Sequence, residues 1–247
     1  MRPAPLKPIQ GFTLLEILAA MAVLSLLGGM ILMMISASSA TAKRMGNNFD
    51  SLAGARAAGN RIQTDWTTRP KLLGAAAPAV KFPGNDTLAF YSFAPAQGTE
   101  RGLAAVHYRV RDGALGLERA TLRIGWETAP LLSVSPAPTP GAEYQLLAPM
   151  IIRMEIAYVL PNGTLAAEIP AGSRAQSLVL TYATLEESAR NQLSEADTRQ
   201  IVDSLADSGT ASTAGLWAQS VKVVAGDDSF SRHMASLKIY ERSLPLP

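Results

Sequence analysis

The sequence predicts an α+β fold in which a long amino-terminal membrane-spanning helix packs on an antiparallel β-sheet domain. Two observations carry this prediction. Residues 17–35 form an apolar run whose only polar side chain is Ser25, and several segments beyond Pro70 alternate with the period of a strand. The chain has 247 residues, enough for one large domain or two small ones. We therefore expect the helix first and the sheet after it.

The apolar run has the length of a membrane helix. Its 19 residues span roughly 28 Å at about 1.5 Å per residue, close to the bilayer core of about 30 Å. The alternative is a secretory signal peptide, whose apolar region usually runs about 7–15 residues before a small-residue cleavage site. Residues 37–40 resemble such a site. Arg2 and Lys7 precede the run without any acid, which predicts a cytoplasmic amino terminus and an extracytoplasmic remainder.

The string Gly-Phe-Thr-Leu-Leu-Glu lies at residues 11–16, directly before the apolar run. A carboxylate at the edge of a membrane helix is costly, so Glu16 needs a partner. These residues resemble the class III signal of type IV prepilins and type II secretion pseudopilins. That signal is a short basic leader ending in Gly, followed by Phe-Thr-Leu, a Glu and a hydrophobic helix. The resemblance covers residues 5–36.

The resemblance implies a processing route and an assembly role. Prepilin peptidase is expected to cut between Gly11 and Phe12 and to methylate Phe12. Glu16 is expected to pair with the terminal amine of a neighbouring subunit. The implied organisation is a cleaved basic leader at 1–11, a transmembrane part at 12–36, an amphipathic continuation at 37–69 and an extracytoplasmic domain at 70–247. The chain would then be a single-pass protein of the bacterial inner membrane with a periplasmic domain.

The helical period continues beyond the apolar run. Apolar residues recur every three or four positions, and polar residues, Asp65 among them, fall between them. The apolar stripe consists of Met45, Phe49, Leu52, Ala55, Gly59, Ile62 and Trp66. We interpret it as the helix's own core face, although a partner-binding stripe would have the same pattern. Thr67, Thr68 and Pro70 predict the end of the helix.

The remainder of the chain predicts antiparallel strands and one further helix. Turns at Asp112-Gly113 and at residues 161–163 separate hairpin strands. Residues 127–149 hold five prolines and indicate a long loop, whereas residues 186–207 indicate a helix with Leu193, Ile201, Val202 and Leu205 buried. The strands are predicted at residues 87–93, 103–111, 114–122, 150–160, 164–169, 176–184 and 235–242.

Composition points away from catalysis. No Cys is present, which excludes a thiol nucleophile and a Cys-bound metal, and two His are too few for a multi-histidine site. No serine-hydrolase elbow, phosphate loop or dinucleotide fingerprint occurs. His107 is interpreted as a histidine on a strand face and His233 as solvated. With 22 basic and 20 acidic residues and no Lys/Arg cluster longer than two, nucleic-acid binding is not expected.

Four aspartates have the oxygen ligands that calcium prefers, and some pseudopilins bind calcium. They are Asp86, Asp112, Asp227 and Asp228. None lies in a spaced ligand loop, and the two adjacent ones, Asp227 and Asp228, are more simply interpreted as a polar turn. We therefore expect no metal and no cofactor.

The order of elements resembles the larger minor pseudopilins, particularly the J type, and the tail resembles uncharacterised prepilin-like cassette proteins. The expected function is a non-catalytic pilin-like subunit of a pilus or type II secretion pseudopilus. Its expected partners are prepilin peptidase, other pilins or pseudopilins and the inner membrane. A membrane-tethered extracytoplasmic binding module is the alternative, but it leaves Glu16 and the Gly11-Phe12 junction unexplained.

Overall fold

The computed structural model describes residues 13–70, 79–80, 86–93, 102–111, 116–124, 143–170, 172–205, 207, 212–223 and 233–246. The chain divides into two compact units, Met1–Gly46 and Asn47–Pro247. Helix α1 (Leu14–Thr67) is the first element. An antiparallel sheet domain follows, so the predicted α+β class with a long amino-terminal helix is confirmed. The domain boundaries inferred from the sequence stay a prediction.

The second unit contains two antiparallel sheets. The first sheet has the order β1-β2-β3-β4-β5 and the second the order β7-β6-β8-β9. The strands are β1 (Ala79–Val80), β2 (Thr87–Ser92), β3 (Ala104–Val110), β4 (Leu117–Arg123), β5 (Tyr144–Ala148), β6 (Ile151–Val159), β7 (Leu165–Ala166), β8 (Ser177–Thr184) and β9 (Lys238–Pro245).

The main core lies between one face of each sheet and the carboxyl-terminal part of α1. Ala55, Ala58, Ile62 and Trp66 recur at helical spacing and are all buried in it. Leu52 is half-buried and Gly59 is buried. The core-face interpretation of the stripe is thus confirmed at these positions, whereas the side chains of Met45 and Phe49 lie outside the described residues. The helix ends at Thr67, as the threonines and Pro70 predict.

The other face of the second sheet is covered by three short helices, α2 (Glu187–Arg190), α3 (Glu195–Ser204) and α4 (Thr213–Val223). The single helix predicted over residues 186–207 is wrong, because a new helix starts after Ser194. The Ser194 hydroxyl accepts a hydrogen bond from the Asp197 N–H, and the Asp197 carboxylate accepts one from the Ser194 N–H. Ile201 and Leu205 of the expected apolar face are buried, and Leu193 and Val202 are half-buried against the same core.

The strand predictions hold with three corrections. The last strand, predicted at 235–242, is β9 at Lys238–Pro245, and residues 233–235 are helical instead. The loop expected over residues 127–149 contains β5, which is an edge strand of the first sheet. The hairpin partner expected at 164–169 is reduced to the two residues of β7, and β6 pairs along its length with β8 instead. Strands β3 and β4 pair as expected, but the turn at Asp112-Gly113 lies outside the described residues.

Candidate functional site

The amino-terminal part of α1 is an apolar helix. Within the described residues, one helix is long and apolar enough to cross a membrane, over the 26 residues Leu14–Ser39. At about 1.5 Å per residue this segment spans roughly 39 Å, more than the bilayer core of about 30 Å. Its large apolar side chains are exposed, for example Leu24 at 72% and Met30 at 58%. Contiguous apolar exposure on this scale marks a surface for lipid or for another protein.

Three hydroxyl groups in and just after this segment donate hydrogen bonds to carbonyls of the same helix. Ser25 donates to the Met21 carbonyl at 2.7 Å. Ser36 donates to the Met33 carbonyl at 2.9 Å. Thr41 donates to the carbonyl of Ala37 at 2.9 Å. Carbonyl groups of the helix therefore accept hydrogen bonds from hydroxyl groups that would have no partner in lipid.

Glu16 caps the start of the same helix. Its carboxylate accepts hydrogen bonds from the Thr13 N–H at 3.1 Å and from the Thr13 hydroxyl at 3.2 Å. In return the Thr13 hydroxyl accepts from the Glu16 N–H at 3.3 Å. This reciprocal pattern is a capping box. The negative charge also interacts favourably with the positive end of the helix dipole. The expected cleavage residues Gly11 and Phe12 lie outside the described residues.

Asp65, in the second unit, is the centre of a buried polar cluster. The Tyr108 hydroxyl donates to its carboxylate at 2.6 Å and the Arg119 Nε at 2.7 Å, while the Arg61 Nε lies 3.4 Å away. The Asp65 side chain is fully buried, although it lies outside the apolar stripe. Burial, reinforced by the Asp65 carboxylate, raises the pKa of Tyr108, which keeps this hydroxyl protonated as a donor.

The Asp65 cluster joins α1 to the first sheet. Tyr108 lies on β3 and Arg119 on β4, so one helical carboxylate binds two strands. Ser92 at the end of β2 donates to the Asp65 carbonyl at 2.7 Å. Because the charges are paired and hydrogen-bonded, their burial is tolerable. The arrangement fixes the helix in place.

The calcium hypothesis gains no ligand set from the described residues. The Asp86 carboxylate accepts a hydrogen bond from the Ile156 N–H at 2.6 Å, and the Asp86 N–H donates to the Met154 carbonyl at 3.0 Å. Asp86 therefore ties the start of β2 to β6. Within the described part of the chain no cluster of three His, Cys, Asp or Glu residues could hold a metal ion. Asp112, Asp227 and Asp228 lie outside that part.

The two histidines are packed in the domain. His107 lies on β3 between Ala89 of β2 and Ala120 of β4, as expected for a histidine on a strand face. Both of its ring nitrogens are buried, and no described residue forms a hydrogen bond with them. Burial lowers the pKa of His107. His233 is half-buried with its Nδ1 inside the domain, so it is less exposed than the solvated interpretation predicts.

One sequence comparison bears on this site. Residues 6–32 match the model of a family described as the prokaryotic N-terminal methylation motif, the signature of prepilins and pseudopilins. The comparison with curated proteins found no match. The motif indicates a type IV prepilin-like protein, and members with this motif are structural subunits. It implies processing by prepilin peptidase and assembly with other pilins, and the apolar helix is consistent with a single-pass membrane anchor.

Two features of the site were missed by the sequence interpretation. The capping box was predictable from the sequence, because Thr13 and Glu16 have the Ser/Thr-x-x-Glu spacing at a helix start. The burial of Asp65 had no local signal. Its partners Tyr108 and Arg119 are 43 and 54 residues away, and only the sheet brings them to the helix.

Proposed function

We propose that this chain is a non-catalytic minor pseudopilin that prepilin peptidase cuts between Gly11 and Phe12 and methylates at Phe12. The mature chain enters a pilus or a type II secretion pseudopilus through its amino-terminal helix. One observation carries the proposal. The methylation motif at residues 6–32 includes most of the apolar segment Leu14–Ser39, whose large side chains are exposed. A surface of this kind is suited first to lipid and then to neighbouring helices.

The size of the chain favours a minor position. Removal of 11 residues from 247 leaves 236, more than a compact major subunit usually has. The basic residues Arg2 and Lys7 support a cytoplasmic leader, with the sheet domain on the periplasmic side of the inner membrane.

Processing is tested at the amino terminus of the protein extracted from membranes of its native host. Mass spectrometry should find N-methylated Phe12 as the first residue, and Gly11→Leu should leave an uncut precursor. A retained Met1 would contradict the proposal and favour a tethered binding module. A terminus near Ala40 would instead favour a signal peptide.

Two variants test the role of Glu16 by separating its charge from its capping hydrogen bonds with Thr13. Glu16→Gln removes the charge, and Gln also fits the third position of a capping box. Thr13→Ala removes the cap and keeps the charge. If the carboxylate pairs with a terminal amine, Glu16→Gln should be processed but recovered poorly with its partner subunits, because an unpaired buried charge costs about 3–5 kcal/mol. Normal recovery of Glu16→Gln together with loss in Thr13→Ala would assign Glu16 to capping alone.

A further inference from the structure

The turn between β6 and β7 carries the one Asn-Gly pair of the sequence, Asn162-Gly163. The Gly163 N–H donates to the Leu160 carbonyl at 2.9 Å, and the Leu160 N–H donates to the Thr164 carbonyl at 2.9 Å. Gly163 has a φ of 80°, in the left-handed region that favours glycine. Residues 161–164 are exposed. The turn therefore has a defined geometry and is open to water.

Thr164 holds the side chain of Asn162 in this turn. The Asn162 Oδ1 accepts hydrogen bonds from the Thr164 N–H at 3.0 Å and from the Thr164 hydroxyl at 2.7 Å. The ring closed by the first of these bonds contains the Asn162 Cγ and the Gly163 backbone nitrogen, so the side-chain amide folds over the next peptide group. Two donors on Oδ1 draw electron density from Cγ and stabilise negative charge that develops on this oxygen.

Gly163 leaves the approach between these two atoms open. It has no Cβ, and the position that a Cβ would take has no atom within 4 Å. The hydrogen bond from the Gly163 N–H to the Leu160 carbonyl has to open before this nitrogen can react. Opening costs little here, because the turn is exposed and the strand after it, β7, has only two residues. This contact therefore slows a reaction at the nitrogen without preventing it.

We propose that Asn162 deamidates spontaneously in the folded protein and that Thr164 is the positioning residue for this reaction. The Gly163 nitrogen loses its proton to hydroxide and attacks the Asn162 Cγ. The new C–N bond closes a succinimide ring. The bond from Cγ to the side-chain nitrogen breaks, and this nitrogen takes up a proton from water and leaves as ammonia. Water then opens the ring to aspartate or isoaspartate, so the turn gains one negative charge.

The proposal is independent of the role of the chain in an assembly, and Asn60 provides a comparison within the same molecule. The Asn60 Oδ1 also accepts two hydrogen bonds, both from Arg242 at 3.1 Å. The residue after it is Arg61, whose backbone lies inside α1 and whose side chain crowds the approach to Cγ. Asn60 therefore has the two donors but lacks the turn and the glycine.

The first experiment compares asparagines within the full chain. The protein is kept in detergent at mildly alkaline pH, and mass spectrometry with enzymatic methylation of isoaspartate follows each amide. Asn162 should deamidate at least about tenfold faster than Asn60 and Asn191, because only Asn162 is followed by a residue without a side chain. Equal rates at the three positions would overturn the proposal. It would also fail if Asn162 kept its amide in the folded chain and lost it only in urea.

The second experiment tests Thr164. Thr164→Val removes the hydroxyl and keeps the backbone donor, so the rate at Asn162 should fall about threefold, the scale of one exposed hydrogen bond. Thr164→Ser keeps a hydroxyl and should keep the rate. Thr67→Val removes an exposed hydroxyl outside the turn and should have no effect. In urea, where the turn is absent, Thr164→Val should react like the unchanged chain.

Three results would contradict the role of Thr164. One is an equal loss of rate in Thr164→Val and Thr67→Val. Another is a loss in Thr164→Val that persists in urea, since the effect would then belong to the local sequence and not to the turn. The third is a loss in Thr164→Ser as large as that in Thr164→Val.

Discussion

Helix α1 has two surfaces of opposite character. At residues 14–39 the large apolar side chains are exposed, whereas at residues 55–66 those of the stripe, Ala55, Ile62 and Trp66, are at most 1% exposed. Both stretches are helical, so propensity does not distinguish them. The later stretch satisfies its hydrophobic face within the chain, against the two sheets. The earlier stretch has to satisfy its face with lipid or with another protein.

The largest contrast should come from removing one large side chain from each stretch. Trp66→Ala removes a buried ring that packs edge-on against Phe90 at 5.1 Å and donates to the Pro245 carbonyl at 2.9 Å. It should lower the free energy of unfolding of the domain by about 3–5 kcal/mol. Leu24→Ala should leave that free energy unchanged. Urea unfolding of the full chain in detergent, followed by tryptophan fluorescence, compares them. Equal effects would contradict the distinction.

The buried ion pair should give the next largest effect. Arg119→Met leaves the Asp65 carboxylate buried without its closest cation and should cost about 3 kcal/mol in the same measurement. Arg119→Met combined with Asp65→Leu removes both charges and should recover much of the loss. If the double variant is less stable than Arg119→Met alone, then the Asp65 carboxylate stabilises the fold by contacts other than its pairing with Arg119.

Alanine substitutions at two glycines of α1 should change stability by smaller amounts and in opposite directions. A Cβ on Gly59 would lie 2.7 Å from the Tyr182 hydroxyl and 2.9 Å from an Arg242 nitrogen, so Gly59→Ala should destabilise by about 1–3 kcal/mol. Gly54→Ala meets open space and should stabilise by about 0.5–1 kcal/mol, because alanine is the better helix former. A gain from Gly59→Ala would show that the sheet does not hold the helix this closely.

The smallest effect is expected from pH at His107. Burial lowers the pKa of His107 below its ordinary value of 6.5, so the unfolded chain binds the proton more readily. Its contribution to stability is complete above pH 6.5 and falls as the pH drops from 6.5 toward the folded-state pKa, by at most about 1.4 kcal/mol per pH unit. His107→Leu should remove this part of the slope. An unchanged slope would assign it to other groups.

Local patterns predicted the parts of the fold that depend on neighbours in sequence. The long helix, its end before Pro70 and strands β2, β3 and β8 follow from apolar periodicity and turn residues. Helix α4 was missed because Gly215 and three β-branched residues weaken its local signal, and it is Trp217, fully buried against the second sheet, that anchors it. β5 was missed because four of the five prolines in residues 127–149 precede it and two of its central residues are exposed.

The residues of the candidate site also separate into those that local sequence predicts and those that depend on distant strands. Glu16 was predicted from its motif. Its contact with Thr13 is a capping box, which depends only on residues three positions apart at the helix start. Gly11 and Phe12 stay predictions from the same motif. The partners of Asp65 lie on strands far away in sequence. No periodicity along α1 distinguishes Gly59, where a Cβ would lie 2.7 Å from the Tyr182 hydroxyl, from Gly54, where a Cβ would meet open space.

The hydroxyl of Ser25 is already bonded to the Met21 carbonyl of its own turn. At this position the helix therefore carries no unbonded donor into lipid and needs no hydrogen bond from a neighbouring helix. Exchange of the surroundings of Ser25 from fatty-acid chains to protein side chains breaks no hydrogen bond. At mid-helix only packing distinguishes the two environments, so the assembly proposed for this chain would meet no polar barrier there, and Glu16 at the helix start is the group that would change its partner.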